Sequence, residues 1–333
     1  MQITVLRPGL LTTLQDGGRN GLQKYGVIMS GAMDSFALRM ANLLVGNEEN
    51  EAVLEITLVG PQLRFDTDGF ISICGSSLSP EIDGEPVPEW RPVYVRAGSS
   101  LIFKQCRAGC RTYLAAAGGF HAEKVLGSRS TYLRAGIGGY NGRALQKDDV
   151  LVTDAPSEQS EARMEPIKGQ CSASFSSVNW SIGRELMPDY RENPVVRVVR
   201  GAQAELFTEQ SRHAFYSEPF AVQTQSDRMG YRLKGEVLEL AQQQELISEA
   251  VCRGTIQVPP EGQPILLMAD CQTTGGYPKI GQVISVDLPV VAQVKPGETI
   301  SFKEVSLEEA QRLLLQREQD IEKVKHGIYL QTK

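Results

Sequence analysis

Four short texts recur in the same order in the two halves of this chain. Val5-Leu6-Arg7-Pro8-Gly9 returns loosely as Val198-Val199-Arg200-Gly201. Arg19-Asn20-Gly21 with Gly26 returns as Arg228-Met229-Gly230 with Gly235, and Glu51-Ala52-Val53 as Glu249-Ala250-Val251. The longest pair is Val95–Lys104 with Val294–Lys303, each built as a Val, a turn glycine and an apolar run ending in Phe-Lys. Any one match could be chance; four in order favour an ancient duplication over two unrelated β-domains that share turn chemistry. A length of 333 residues accommodates two such domains.

The local signals are those of β-structure. Phe70–Cys74, Leu101–Phe103, Val195–Val199 and Gln282–Val286 are short runs rich in apolar and β-branched residues, bounded by turn residues. With 32 Gly and 17 Pro the chain is turn-rich, and Asp83-Gly84 and Pro296-Gly297 supply turns of defined backbone geometry. Two helices are predicted. One covers Ser35–Leu44, capped by Asp34, with Gly46 just past its end. The other covers roughly Leu307–Lys325, opened by Ser306 and Glu309 in capping-box spacing, with Leu307, Ala310, Leu313, Leu314, Ile321 and Val324 as its apolar stripe. The polar stretch from Asp154 to Asn193 is poor core material. The expected organisation is a β-rich domain over 1–155, a linker with local structure over 156–193, a β-barrel domain over 194–305 and a C-terminal helix over 306–333.

Several function classes are disfavoured. The 34 basic and 40 acidic residues give a net charge of −6, without the basic surplus of a nucleic-acid binder. The N-terminus has no basic start followed by an apolar segment, and no apolar run is long enough to span a bilayer. The six cysteines form no C-x-x-C pair and are expected to be reduced thiols of a cytoplasmic protein. Three scattered histidines make a zinc site improbable, so no metal is expected. There is no G-x-S-x-G elbow and no G-x-x-x-x-G-K-[ST], and Gly136–Arg143 misses the dinucleotide fingerprint because Asn141 stands at its third glycine.

The chemistry-bearing texts are turn-and-amide motifs. Gln15-Asp16-Gly17-Gly18-Arg19 runs on to Ser30-Gly31-Ala32-Met33-Asp34. Such loops bring backbone N–H groups and a guanidinium to an anionic group; the plain alternative is that Asp16 and Arg19 pair with each other. Asn42 and Asn47 suit capping better than ligand binding. Arg129 sits in a second glycine-dense region. In the second half, Asp227-Arg228 precedes Gln257 and then Asp270-Cys271-Gln272-Thr273-Thr274-Gly275-Gly276-Tyr277. That last segment crowds donors and acceptors suited to an amide or carboxylate ligand. An Asx turn with a tight Gly-Gly corner is its structural alternative. Cys271 reads as a packed apolar residue.

Taken together, the texts Gln15–Arg19 with Ser30–Asp34, and Ser226–Tyr231 with Gln272–Tyr277, resemble the biotin-dependent carboxyltransferase and allophanate-hydrolase-subunit-2 family. That family includes the C subunit of bacterial ATP-dependent 5-oxoprolinase and KipA, the antagonist of the kinase inhibitor KipI. The resemblance covers about residues 1–305. It implies a mainly β fold of two cyclophilin-like β-barrel domains facing each other across a cleft, with a few helices including a C-terminal one. It also implies a KipI-like B subunit and an A subunit as partners, and ATP-driven opening of the lactam 5-oxo-L-proline to L-glutamate by the assembly. Biotin-dependent carboxyl transfer, an allophanate-hydrolase-type role or a regulatory role against a KipI-like protein are the alternatives, although the chain has no Met-Lys-Met biotinylation text. The family motifs map onto Gln15, Asp16, Arg19, Asp34, Arg129, Asp227, Arg228, Gln257, Asp270, Gln272, Thr273, Thr274 and Tyr277. Chemistry assigns Arg19, Arg228 and Asp270 to catalysis, and the others, with Gly275 and Gly276, to substrate binding. On this reading Arg228→Ala lowers turnover and leaves the fold intact.

Overall fold

The computed structural model describes every residue except 105, 107, 243, 245, 332 and 333. Its contacts divide the chain into two compact units. The first comprises Met1–Arg19, Asp34–Met187 and Ile321–Lys333; the second comprises Asn20–Met33 and Pro188–Asp320. No helix among the described residues is long and apolar enough to cross a membrane.

The first unit contains two six-stranded sheets. One is ordered Val150–Val152, Gln2–Arg7, Gln62–Phe65, Ser100–Ile102, Glu81–Ile82, Glu85–Pro86. The other is ordered Phe175–Ser177, Pro92–Val95, Gly69–Gly75, Arg111–Ala116, Val53–Thr57, Leu11–Gln15. Ile3, Val5, Leu63, Phe65 and Leu101 from the first sheet join Leu54, Ile56, Ile71, Ile73, Val93 and Leu114 from the second in one buried core. Helix α1, Ser35–Leu44, starts where Asp34 accepts the Ala37 N–H at 2.9 Å. It buries Phe36, Leu38, Met40 and Leu44, and Ser72 ties a strand to it through the Ala41 carbonyl at 2.5 Å. Asn42 and Asn47 are structural: Asn42 donates to the Glu49 and Glu51 carbonyls, and Asn47 to Asn42 Oδ1 and the Ala116 carbonyl. The polar stretch expected as a linker holds helix α2, Glu158–Gly169, and the edge strand Phe175–Ser177 that pairs with Pro92–Val95.

The second unit holds a closed barrel with strands in the order Val195–Arg200, Lys279–Val283, Thr255–Gln257, Ile265–Leu267, Gly230–Lys234, Phe220–Val222, Thr299–Glu304. Val196, Val198, Phe220, Ile256, Leu266, Ile280, Ile300 and Phe302 fill it, and Met33 belongs to the same core. Helix α3, Glu209–Ser217, packs Phe215 on Phe302 with ring centroids 4.7 Å apart.

The duplicated texts occupy matching places, yet the sheets differ. Gln2–Arg7 and Val195–Arg200 show the same alternation of burial along the strand, and the repeated turns place Gly98 and Gly297 at φ +87° and +93°, where glycine carries no steric penalty. In the second unit Val195–Arg200 pairs directly, in parallel, with Thr299–Glu304 and closes the barrel. In the first unit Gln62–Phe65 lies between the equivalent strands, bonded to Gln2–Arg7 on one side and Ser100–Ile102 on the other. The expected mainly β fold with a barrel and a C-terminal helix forms, and the strands of the first unit are arranged as two six-stranded sheets.

The last two helices are α4, Leu288–Val291, and α5, Leu307–Leu330. The Glu309 N–H finds Ser306 Oγ at 3.1 Å, but the Glu309 carboxylate binds Arg312 at 2.8 Å, so only half of the expected capping box forms. Of the expected stripe, Ile321 and Val324 are buried while Leu307 and Leu314 are exposed.

Tyr113 joins helix start to sheet in the first unit. Its fully buried hydroxyl donates to Glu55 Oε2 at 2.8 Å and accepts the Asp34 N–H at 2.7 Å. Tyr113→Phe removes both bonds from a buried site and is expected to destabilise the protein by about 1–3 kcal/mol, read as a lower urea midpoint with an unchanged slope.

Candidate functional site

In the first unit the candidate residues form one hydrogen-bonded cluster at the end of strand Leu11–Gln15. Asp16 accepts from Ser128 Oγ and Ser130 Oγ, each at 2.6 Å, and from the N–H groups of Gly18 at 2.8 Å and Arg129 at 2.6 Å. Arg19 is 1% exposed and donates to the carbonyls of Val125 at 3.2 Å and Ser130 at 2.6 Å. Asp16 thus organises residues 128–130, and the Arg19 guanidinium caps the carbonyls of Val125 and Ser130. Gly138 is required here, because a Cβ would run into the Ser130 carbonyl and Arg19 Nη2. Gln15, fully buried, donates to Thr13 Oγ1 and the Thr131 carbonyl, and its Oε1 has no partner among the described residues. Asp34 stands apart as the α1 cap.

The Arg129 guanidinium donates to the Ala122 carbonyl at 3.0 Å, to Glu51 at 2.8 Å and to Asp154 at 2.7 Å. His121 Nδ1 lies 2.6 Å from the other Asp154 oxygen. Partial burial works against the Asp154 charge, but the hydrogen bonds and charges of His121 and Arg129 outweigh it and hold the carboxyl below its ordinary value. A carboxyl depressed in the fold contributes stability above its unfolded-chain value and loses it as pH falls through the folded one. Unfolding midpoints are therefore expected to drop below about pH 4, and Asp154→Asn to flatten that part of the profile.

In the second unit Arg228 binds an acid distant in sequence, Asp270. Exposed Asp227 Oδ1 accepts the N–H groups of Met229 at 2.8 Å and Gly230 at 3.3 Å, an Asx turn. Arg228, 6% exposed, is held bidentately by Asp270, 4% exposed, with Nε–Oδ2 2.9 Å and Nη2–Oδ1 3.1 Å. Nη2 also donates to the Gly31 carbonyl at 2.6 Å, and the Asp270 N–H returns to the Arg228 carbonyl at 2.8 Å. This brings Arg228, Asp270 and the Ser30–Met33 text together.

The Asp270 loop continues into Thr274–Gly275, which pairs with Glu249–Ala250. Gln257, on a barrel strand and 4% exposed, presents an Oε1 with no partner among the described residues. A Cβ on Gly275 would lie 2.8 Å from that oxygen and 3.7 Å from Gln272 Nε2, so Gly275 is the point where both amides approach the backbone. A Cβ on Gly276 would lie 3.3 Å from Ser248 Oγ. Gln272 and Thr273 are half-buried, and Thr274 and Tyr277 are exposed. Burial pushes the Cys271 thiol up to about 12, in keeping with a packed, unreactive sulfur. Sequence reasoning missed Arg253, which donates to the Ala32 carbonyl at 2.9 Å and to the Met33 carbonyl, and Lys279, 8% exposed and bonded to Glu249 at 3.0 Å. Neither stands in a motif.

The burial of the Arg228–Asp270 pair changes the expectation for Arg228→Ala. Removing one member of a buried pair leaves the other charge uncompensated, a loss of about 3–5 kcal/mol. Arg228→Ala is therefore expected to melt well below wild type, and the double variant Arg228→Met/Asp270→Leu to recover part of that loss in the same thermal-melting measurement.

Against this geometry the chain can be placed among known proteins. Residues 25–304 match the family described as carboxyltransferase domain, subdomain A and B. The chain is 39% identical to the C subunit of Escherichia coli 5-oxoprolinase over 92% of its own length and 93% of that protein. For the C subunit of Haemophilus influenzae 5-oxoprolinase the figures are 40%, 90% and 90%. Kluyveromyces lactis urea carboxylase superposes with a TM-score of 0.87 at 30% identity, over 98% of this chain and 29% of that one. The urea amidolyase of the same yeast gives 0.86 at 30% identity, over 96% and 20%; this chain thus spans under a third of either yeast enzyme. With most of its length matched to the family and two bacterial relatives matched nearly end to end, the chain belongs to the carboxyltransferase family of subdomains A and B.

Proposed function

We propose that this chain is the C component of an ATP-dependent 5-oxoprolinase, acting in the cytoplasm with a KipI-like B subunit and an A subunit to open 5-oxo-L-proline to L-glutamate. The observation that carries the proposal is reciprocal coverage. Two bacterial 5-oxoprolinase C subunits align over nine-tenths of both partners, whereas a yeast urea amidolyase aligns over 17% of its own length.

The second unit's loop suits such a substrate. A lactam presents a carboxylate, a carbonyl oxygen and an N–H. The unpartnered Gln257 Oε1 is an acceptor for the lactam N–H, and Gln272 Nε2, which approaches the same Gly275, offers a donor. Arg228 and Asp270 act through the loop they hold, as positioning residues. In the first unit, Arg19, Asp16 and Gln15 order residues 128–131 in a comparable way, with Arg129 tied to Glu51 and Asp154. ATP hydrolysis drives the ring opening in the assembly; this chain has no P-loop text.

The test is reconstitution. Glutamate formation from 5-oxo-L-proline and ATP is expected to need the cognate A and B subunits together with this chain, and the B subunit is expected to co-purify with it. The reading fails if the other two subunits alone reach the full rate. It also fails if the chain instead transfers a carboxyl group when supplied with biotin carboxylase and carboxybiotin carrier.

A further inference from the structure

The segment Ser30–Met33 shows a feature that the proposed site does not yet use. Ser30 is 1% exposed and sits at φ +54°, followed by Gly31 at +86°. Left-handed backbone is ordinary for glycine but costs a serine energy. Its Oγ is buried and finds no partner among the described residues. The three carbonyls that follow all accept from arginines. Gly31 accepts from Arg228, and Ala32 and Met33 accept from Arg253.

The peptide bonds are trans, so the C=O and N–H of each peptide point in opposite directions. Drawing the Gly31 carbonyl to Arg228 therefore turns the Ala32 N–H away from that guanidinium. The N–H groups of Gly31 and Ala32 have no acceptor among the described residues, although both residues are buried. Buried main-chain donors without an acceptor are rare in native proteins. Here the N–H groups of two buried residues follow directly in sequence on an unpartnered hydroxyl, in a strained backbone held by two arginines.

We infer that the Ser30–Ala32 turn is an anion cradle, in which the Ser30 hydroxyl and the N–H groups of Gly31 and Ala32 receive a carboxylic or amide oxygen carrying negative charge. Arg228 and Arg253 position it by holding the carbonyls of Gly31, Ala32 and Met33. That oxygen is either the substrate's resident carboxylate or the amide oxygen that becomes negative during reaction. The inference rests on the 5-oxoprolinase reading only for the choice of substrate.

Ser30→Gly separates function from strain. Glycine accepts the positive φ and removes only the hydroxyl, so the variant is expected to melt no lower than wild type. In the reconstituted complex, loss of one donor to developing charge is expected to lower kcat on the order of 10²–10³-fold. If the cradle holds the ground-state carboxylate, the loss appears in KM instead. With the chain labelled at Gly and Ala nitrogens, 5-oxo-L-proline is expected to shift the Gly31 and Ala32 amide resonances. Unchanged kcat and KM in Ser30→Gly overturn the inference, as do amide resonances that stay still at saturating ligand. Should the wild-type complex form no glutamate, the 5-oxoprolinase reading falls alone. The cradle is then judged by titrating acetate and bicarbonate: shifts in wild type that Ser30→Gly weakens sustain it, and their absence refutes it.

Discussion

The second unit is organised around the buried contact between Arg228 and Asp270. A guanidinium and a carboxylate with so little solvent access must satisfy each other, because neither keeps its water. The bidentate fork fixes both side chains. Nη2 of the guanidinium also reaches back to Gly31, far away in sequence. One pair thereby sets the start of the Gln272–Tyr277 loop and the course of the Ser30–Met33 segment. The approach of Gly275 to Gln257 and the exposure of Thr274 and Tyr277 follow from that loop's path.

The first unit reaches a comparable result with different chemistry. Asp16 is satisfied by hydroxyls and main-chain N–H groups, and Arg19 by main-chain carbonyls. Each charge is spread over loop atoms, and the loops gain their shape from that. The glycines at 138 and 139 are consequences of the same crowding, since Ser130, Thr131 and Arg19 leave no room for a side chain.

Much of the architecture was legible because its signals are local. Asp34 before an apolar helical run predicts the cap that forms, and the alternating Val195–Val199 text predicts a strand with Val196 and Val198 inward. The matching turns at Gly98 and Gly297 follow from glycine alone. What the sequence concealed are pairings between distant segments. Arg228 takes its bidentate partner beyond three barrel strands, at Asp270, while its sequence neighbour Asp227 accepts backbone N–H groups. The insertion of Gln62–Phe65 between Gln2–Arg7 and Ser100–Ile102 has no local text either. The candidate site was legible as a set of residue types. Which atoms are committed and which remain open, as at Gln257 Oε1 and Ser30 Oγ, depends on packing.

The membership of Asn20–Met33 in the second unit has a consequence for the order of events on the ribosome. Chains emerge from the N-terminus, and domains generally fold as units in that order. This segment is made early, yet its clamps, Arg228 and Arg253, follow 197 residues after Gly31 and 221 residues after Ala32. The barrel it joins cannot close until its last strand, Thr299–Glu304, is available to pair with Val195–Arg200. For most of translation, then, Met33 has no core to enter and the turn at Ser30 has nothing to hold it left-handed. Truncation near the C-terminus would reach back to the beginning of the chain, releasing a loop whose own residues are untouched.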